Sequence, residues 1–269
     1  MSIEGAPASP YVFDNAGPQA RTRFESLAAV YDPITIRHLT ARGVGAGWSC
    51  LEVGGGGGSI AAWLSRRVGT DGRVLVTDID PTFLLNLDRP NVEVRRHDIV
   101  SDDLPDSAFD LVYSRLVLSH LPARETALKR MVMALKRGGW LVIQDFDSLS
   151  IRPDPAFDGP ETVLKVYAAM MEAMIRSGND LRLGRRLPGL LRTNGLSDVE
   201  SEGTVFERRG GSPSMGAVWA AFDQLRHSIV AAGAVTMQEV DQALTLLADP
   251  NTVLPSPVLW TVWGRRPAV

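Results

Sequence analysis

The segment with the clearest chemistry is LEVGGGGGSIAAWL, residues 51–64. It places Glu52 near the end of an apolar run, follows with five glycines and then enters a helical pattern. Glycine suits such a turn because a Cβ would block both the tight backbone path and the close approach of N–H groups to a ligand. A dinucleotide fingerprint needs G-x-G-x-x-G, but counting from Gly54 the third position falls on Ser59, and from Gly55 on Ile60. The pattern that fits is acid-x-Gly-x-Gly-x-Gly through Glu52, Gly54, Gly56 and Gly58.

On these residues the chain resembles the class I S-adenosylmethionine-dependent methyltransferases, in the small-molecule branch related to the quinone C-methyltransferases. The remaining motifs follow in the order the family requires. VTDIDP puts Asp78 20 residues beyond Gly58. A carboxylate at the tip of a second strand can accept both ribose hydroxyls, and Ile79 beside it can lie against the adenine face. Asp80, followed by Pro81, suits a helix N-cap instead. The resemblance implies that Asp98, flanked by His97 and Ile99, accepts from the adenine amine, and that Ser114 and Arg115 border the sulfonium end of the cofactor. Tyr31, in AAVYDP, resembles the aromatic that related enzymes fold over the cofactor, where an electron-rich ring would favour the sulfonium; a staple between two helices is the alternative. The similarity covers about residues 24–147 and includes the turn ALKRGGWLVIQDFD.

Transfer from a sulfonium is an in-line displacement of an already activated methyl group. The protein must align the nucleophile and exclude water, and it needs a general base only if the acceptor must lose a proton. His120 in VLSHLP and His227, four residues after Asp223 on one helix face, are the candidate bases. Each has a structural alternative, cofactor-edge packing for His120 and an exposed ion pair for His227. His38 could reach the cofactor or pack on the sheet edge. Met170, Met171 and Met174, with Trp219 and Phe222, could line an adaptable apolar acceptor pocket, although helical spacing also suits a core. Metal-assisted O-methylation would need acids after two neighbouring strands; Asp145 is present but Ser114 and Arg115 occupy the other place, so no metal is expected. The DNA amino-methylating enzymes carry Asn or Asp and two prolines where this chain has Ser-Arg-Leu-Val.

The elements that must position these residues alternate between strand and helix. Apolar runs near 49–53, 73–79, 92–98, 109–114 and 140–146 read as strands, separated by helical patterns at 59–68, 81–87 and 123–137, the last closed by Gly138 and Gly139. This implies parallel pairing with right-handed crossovers and a site at the carboxyl ends of the strands. Strands near 198–207 and 258–264 complete a doubly wound, mostly parallel seven-stranded sheet of Rossmann-like α/β class. Residues 1–20 read as a flexible arm. Residues 21–41, interrupted by Pro33, read as two short helices forming a lid. Residues 21–147 form the cofactor-binding core with this lid, and 148–269 add helical cap insertions and the last strands. Thr236 and Glu239 are spaced as a capping box.

The net charge of −3 gives no basic footprint for nucleic acid, and no run of the sequence approaches a membrane span. The single Cys50 reads as a buried thiol. A cytoplasmic enzyme acting on a lipophilic or aromatic small-molecule methyl acceptor is therefore expected, by O-, N- or C-methylation. A non-catalytic S-adenosylmethionine-binding regulator and, less favoured by the glycine register, a nicotinamide-dependent oxidoreductase are the alternatives.

Overall fold

The computed structural model describes residues 19–151 and 160–268. The proposed arm, apart from Gln19 and Ala20, and most of the Pro-rich stretch after residue 150 lie outside the described residues.

The strands are β1 (Ser49–Val53), β2 (Arg73–Asp78), β3 (Val92–Arg96), β4 (Phe109–Arg115), β5 (Leu135–Asp147), β6 (Ser197–Thr204), β7 (Glu207–Arg209), β8 (Val253–Pro255) and β9 (Val258–Arg265). Seven of them form one sheet in the order β3-β2-β1-β4-β5-β9-β6, while β7 and β8 pair as a separate ribbon. Every pair from β3 to β5 is parallel, and β9 runs antiparallel to both β5 and β6. The chain winds outward through β2 and β3 on one side of β1 and through β4 and β5 on the other. The switch point thus lies between β1 and β4, where a doubly wound sheet opens a crevice at its carboxyl ends.

Alternation along the strands sorts the two faces. Leu51, Val53 and Val112 join a core with Leu128 and Met131 of α3 (Arg124–Ala134) and Leu183, Leu187 and Leu191 of α5 (Leu183–Thr193). Cys50, Leu111 and Tyr113 face the opposite way, against Leu39 of α1 (Gln19–Ala41) and Ile60 and Leu64 of α2 (Ser59–Val68). Both faces are covered, which explains why these strands read as near-continuous apolar runs. A third core joins α4 (Glu161–Arg176), α6 (Pro213–Ala231) and α7 (Met237–Ala248) into the cap. Thr236 and Glu239 form the capping box at the start of α7.

Several expectations need correction. Residues 19–41 are one helix with Pro33 inside it, not two. The lost backbone bond is outweighed by anchors on both sides of the proline, since Tyr31, Thr35 and His38 are all buried. The pattern at 81–87 yields only a single 3₁₀ turn, Thr82–Leu84. Gly138 and Gly139 do not close a helix: α3 ends at Ala134, and β5 begins at Leu135 and passes through both glycines. The strand near 198–207 is two strands, β6 and β7, assigned to different sheets. Among the described residues, no helix is long and apolar enough to cross a membrane.

Candidate active site

The five-glycine loop leaves β1 at the switch point. Gly54 adopts φ +76°, and a Cβ there would stand 2.2 Å from Val117 Cγ2, so only glycine fits between β1 and the segment after β4. The N–H groups of Gly54 and Gly55 donate to the carbonyl of Thr77 at 2.8 and 3.0 Å. Gly56 donates its N–H to Asp78 Oδ2 at 2.9 Å, and Asp80 N–H donates to Asp78 Oδ1 at 3.0 Å. Burial raises the pKa of Asp78, while these two N–H donors act in the opposite direction.

Gly54 to Gly57, Glu52, Asp78 and Ile79 form one wall of a cavity of about 910 Å³. Ile79 is 39% exposed there, an apolar surface left open beside a carboxylate. His97, Asp98 and Ile99 continue the wall beyond the tip of β3. Asp98 accepts from Val100 N–H at 2.8 Å, and buried His97 has no hydrogen-bond partner on either ring nitrogen.

Glu52 is the least compensated acid in the wall. It is 4% exposed, its Oε2 accepts no hydrogen bond, and burial pushes its pKa up to about 8 despite the opposing field of Arg115. Arg115 is itself held in place, donating to Asp32 Oδ1 at 2.9 Å and Thr35 Oγ1 at 3.0 Å. Thr35 Oγ1 also lies 2.5 Å from Gln144 Oε1, which accepts from the Tyr113 hydroxyl at 3.0 Å, while Gln144 Nε2 donates to Thr261 at 2.8 Å. This buried network bolts α1 to β4, β5 and β9. The start of α1 overlies the glycine loop: a Cβ on Gly56 would come within 2.9 Å of Phe24, whose ring stacks edge-on with Phe83 at 5.3 Å.

Tyr31 lines the same cavity and meets Phe146 of β5 edge-to-face at 5.5 Å, so its ring is a cavity wall that ties α1 to β5 and not a staple between two helices. Past Tyr31 the cavity continues into the cap, where Tyr167, Met170, Met171 and Met174 of α4 form a stripe at i, i+3, i+4 and i+7. His120 closes this region from the β4 side; it is buried, and desolvation lowers its pKa to about 4 against a raising hydrogen bond with Asn179.

The structure therefore gathers Tyr31, Glu52, Gly54, Gly56, Asp78, Ile79, His97, Asp98, Ile99, Arg115, His120, Met170 and Met174 around one space. Other candidates lie elsewhere. Gly58 stands behind the wall at φ +79°, at the entry to α2. Ser114 is 1% exposed and donates to Val53 O at 3.0 Å, a clip between two strands. His227 is exposed and away from the cavity, and Asp223 is engaged by Gln19 Nε2 at 2.7 Å. Trp219 and Phe222 pack in the cap core and do not line the cavity, because the face that α6 turns to it carries Ser214, Ala217, Val218 and Ala221. His38 stacks on Trp263 at 5.2 Å, outside the cavity. Asp145 accepts from Ser119 N–H and Phe146 N–H at 3.0 and 2.9 Å and pins the segment after β4. Sequence reasoning missed Tyr167, Phe24 and Arg208; the first belongs to the methionine stripe and was findable by its spacing, whereas the other two carry no local signal.

A doubly wound sheet with an acid-terminated first strand, a glycine turn and a carboxylate at the tip of the second defines a protein built to hold a nucleoside-bearing cofactor across its switch point. Residues 51–143 match the methyltransferase domain family. Methyltransferase str2 of Strobilurus tenacellus is 28% identical over 204 residues, covering 74% of this chain and 71% of that protein. The ubiquinone/menaquinone biosynthesis C-methyltransferase UbiE of Laribacter hongkongensis is 32% identical over 163 residues, 54% of this chain and 66% of that one. A solved structure of Haemonchus contortus phosphoethanolamine N-methyltransferase 2, in complex with phosphomonomethylethanolamine and S-adenosylhomocysteine, shares the fold at TM-score 0.50 and 16% identity, over 83% of this chain and 49% of that one. Residues 51–143 thus carry a methyltransferase domain, and these similarities support a class I S-adenosylmethionine-dependent methyltransferase with S-adenosylmethionine as its cofactor.

Proposed function

We propose that this protein transfers the methyl group of S-adenosylmethionine to a small, largely apolar molecule bound beneath the cap built from α4, α6 and α7. The observation that carries this reading is the continuity of the cavity, which runs from the glycine loop and Asp78 to the methionine stripe of α4 without an intervening wall. Its volume of about 910 Å³ lies at the upper end of the range for small-molecule sites, enough for two ligands side by side.

The wall fits the cofactor. Asp78 retains acceptor capacity for the ribose hydroxyls, Ile79 offers an apolar face to the base, and Asp98 lies where the adenine amine would reach it. Glu52, a buried carboxyl with one oxygen unpartnered, suits the cationic methionyl end, since a nearby positive charge would return it to its ionised form. Arg115, fixed on Asp32, holds that end of the cleft rather than contacting a cation directly. Tyr31 stands between the cofactor and acceptor regions.

When bound, the cofactor supplies a methyl carbon whose bond to sulfur breaks as the acceptor's lone pair forms the new bond, the electrons remaining on sulfur. The protein's part is alignment and exclusion of water, through α1 above and the cap behind. With a pKa of about 4, His120 is neutral near pH 7 but a weak base, and it serves as a hydrogen-bond acceptor that orients the nucleophile. The test is turnover with isotopically labelled S-adenosylmethionine against a panel of apolar phenols, enols, acids and amines: label should appear in at least one acceptor, and cofactor binding without any turnover would favour a regulatory binding protein.

A further inference from the structure

Arg208 is the middle residue of β7, paired across the ribbon with Leu254. Its two neighbours in the strand are exposed, but its own side chain turns inward and is 4% exposed, at the cap end of the cavity. Nη2 donates to Pro255 O at 2.7 Å, and the Tyr167 hydroxyl is hydrogen-bonded to the same guanidinium. The Nε–H has no partner, and among the described residues no carboxylate pairs with this cation. Arg115, in the same wall, differs: it is paired with the Asp32 carboxylate at 2.9 Å.

A buried guanidinium without a counter-charge is costly, and its location on the open wall of an apolar chamber points to a ligand that supplies the missing charge. Tyr167 lies one turn before Met170 and Met171 on α4, so the cation stands at one end of the methionine stripe. We propose that Arg208 binds an anionic oxygen of the methyl acceptor, and hence that the acceptors are apolar molecules bearing a carboxylate or an ionised phenol or enol. The inference rests on the methyl-transfer reading and deepens it. The planar fork of arginine matches a carboxylate through two parallel N–H groups, and a phenolate or enolate through one. Tyr31 and Tyr167 complete this end as neutral donors: burial raises both hydroxyls, Tyr31 to about 12, even with Arg208 acting against it.

The test is calorimetric titration at pH 8 of the full chain saturated with S-adenosylhomocysteine. The probes are 2-naphthoate against methyl 2-naphthoate for the carboxylate arm, and 4-nitrophenol against 4-nitroanisole for the phenolate arm. In at least one arm the anion should bind about tenfold or more tightly than its neutral methylated counterpart. Arg208→Met should abolish the preference and Arg208→Lys restore part of it, with S-adenosylhomocysteine still bound by both variants. Equal affinity for anion and neutral probe in both arms, no binding of any anion, or a preference that survives Arg208→Met would overturn the inference. Failure of the wild type to bind S-adenosylhomocysteine would overturn the methyl-transfer reading itself; the wild-type comparison needs no variant to fold.

Discussion

Asp78 accepts the backbone N–H of Gly56 at 2.9 Å, so the carboxylate at the tip of β2 fixes the middle of the glycine loop that β1 delivers. One side chain thus organises the glycine loop, and on the proposed function its remaining lone pairs are the acceptors for a ribose. Replacing Asp78 with Asn keeps the shape but removes the charge and one acceptor oxygen. Affinity for S-adenosylhomocysteine should fall by about tenfold or more, while unfolding midpoints change little. Unchanged affinity in calorimetry would remove Asp78 from the site.

Gly54 should tolerate no side chain. Gly54→Ala places a Cβ 2.2 Å from Val117 Cγ2 in a left-handed conformation, so the variant should lose cofactor affinity and stability together. Adding Val117→Ala removes the clash but leaves a backbone penalty of about 1 kcal/mol, so thermal denaturation should show partial recovery.

Glu52 should couple stability to pH. Its folded pKa of about 8 lies above the ordinary carboxyl value of 4.5, so the folded chain holds a proton that the unfolded chain has released between these limits. Stability contributed by this group is present below pH 4.5 and is lost as pH rises towards 8. Glu52→Gln should flatten that slope and raise the melting temperature at pH 8 by at least about 2 °C, at the expense of cofactor affinity. Melting curves across pH, with and without S-adenosylhomocysteine, check both parts.

His120 should act in the other direction. A folded pKa of about 4, below the ordinary 6.5, means that the folded chain binds fewer protons across this window, so stability rises as pH increases from 4 to 6.5. His120→Gln should remove this slope. If the imidazole orients the acceptor rather than accepting its proton, the same variant should change KM more than kcat.

Thr35→Val should loosen the lid. It removes the hydroxyl that joins Arg115, Tyr113 and Gln144 in a buried network, at a cost of about 1–3 kcal/mol in chemical denaturation.

That Glu52, the glycine turn, Asp78 and Asp98 would gather on one wall was legible in the sequence because the signals are local. Glu52 and Asp78 lie at the carboxyl ends of β1 and β2, the glycine turn and Asp98 come just after β1 and β3, and the strand ends of a doubly wound sheet all reach one edge. Ser114 shows the limit of that argument, since one position along a strand decides which face a side chain takes. Pro33 misled because tertiary anchors at Tyr31, Thr35 and His38 override a local breaker. The acceptor half depends on long-range placement: Arg208 sits in a three-residue strand whose partner lies beyond α7, and nothing in Glu-Arg-Arg tells which of the three turns inward.

The most direct measurement is calorimetric titration of the wild type with S-adenosylhomocysteine and, separately, with NADH. The account predicts saturable binding of S-adenosylhomocysteine and none of NADH. Binding of NADH, or of neither, would contradict it.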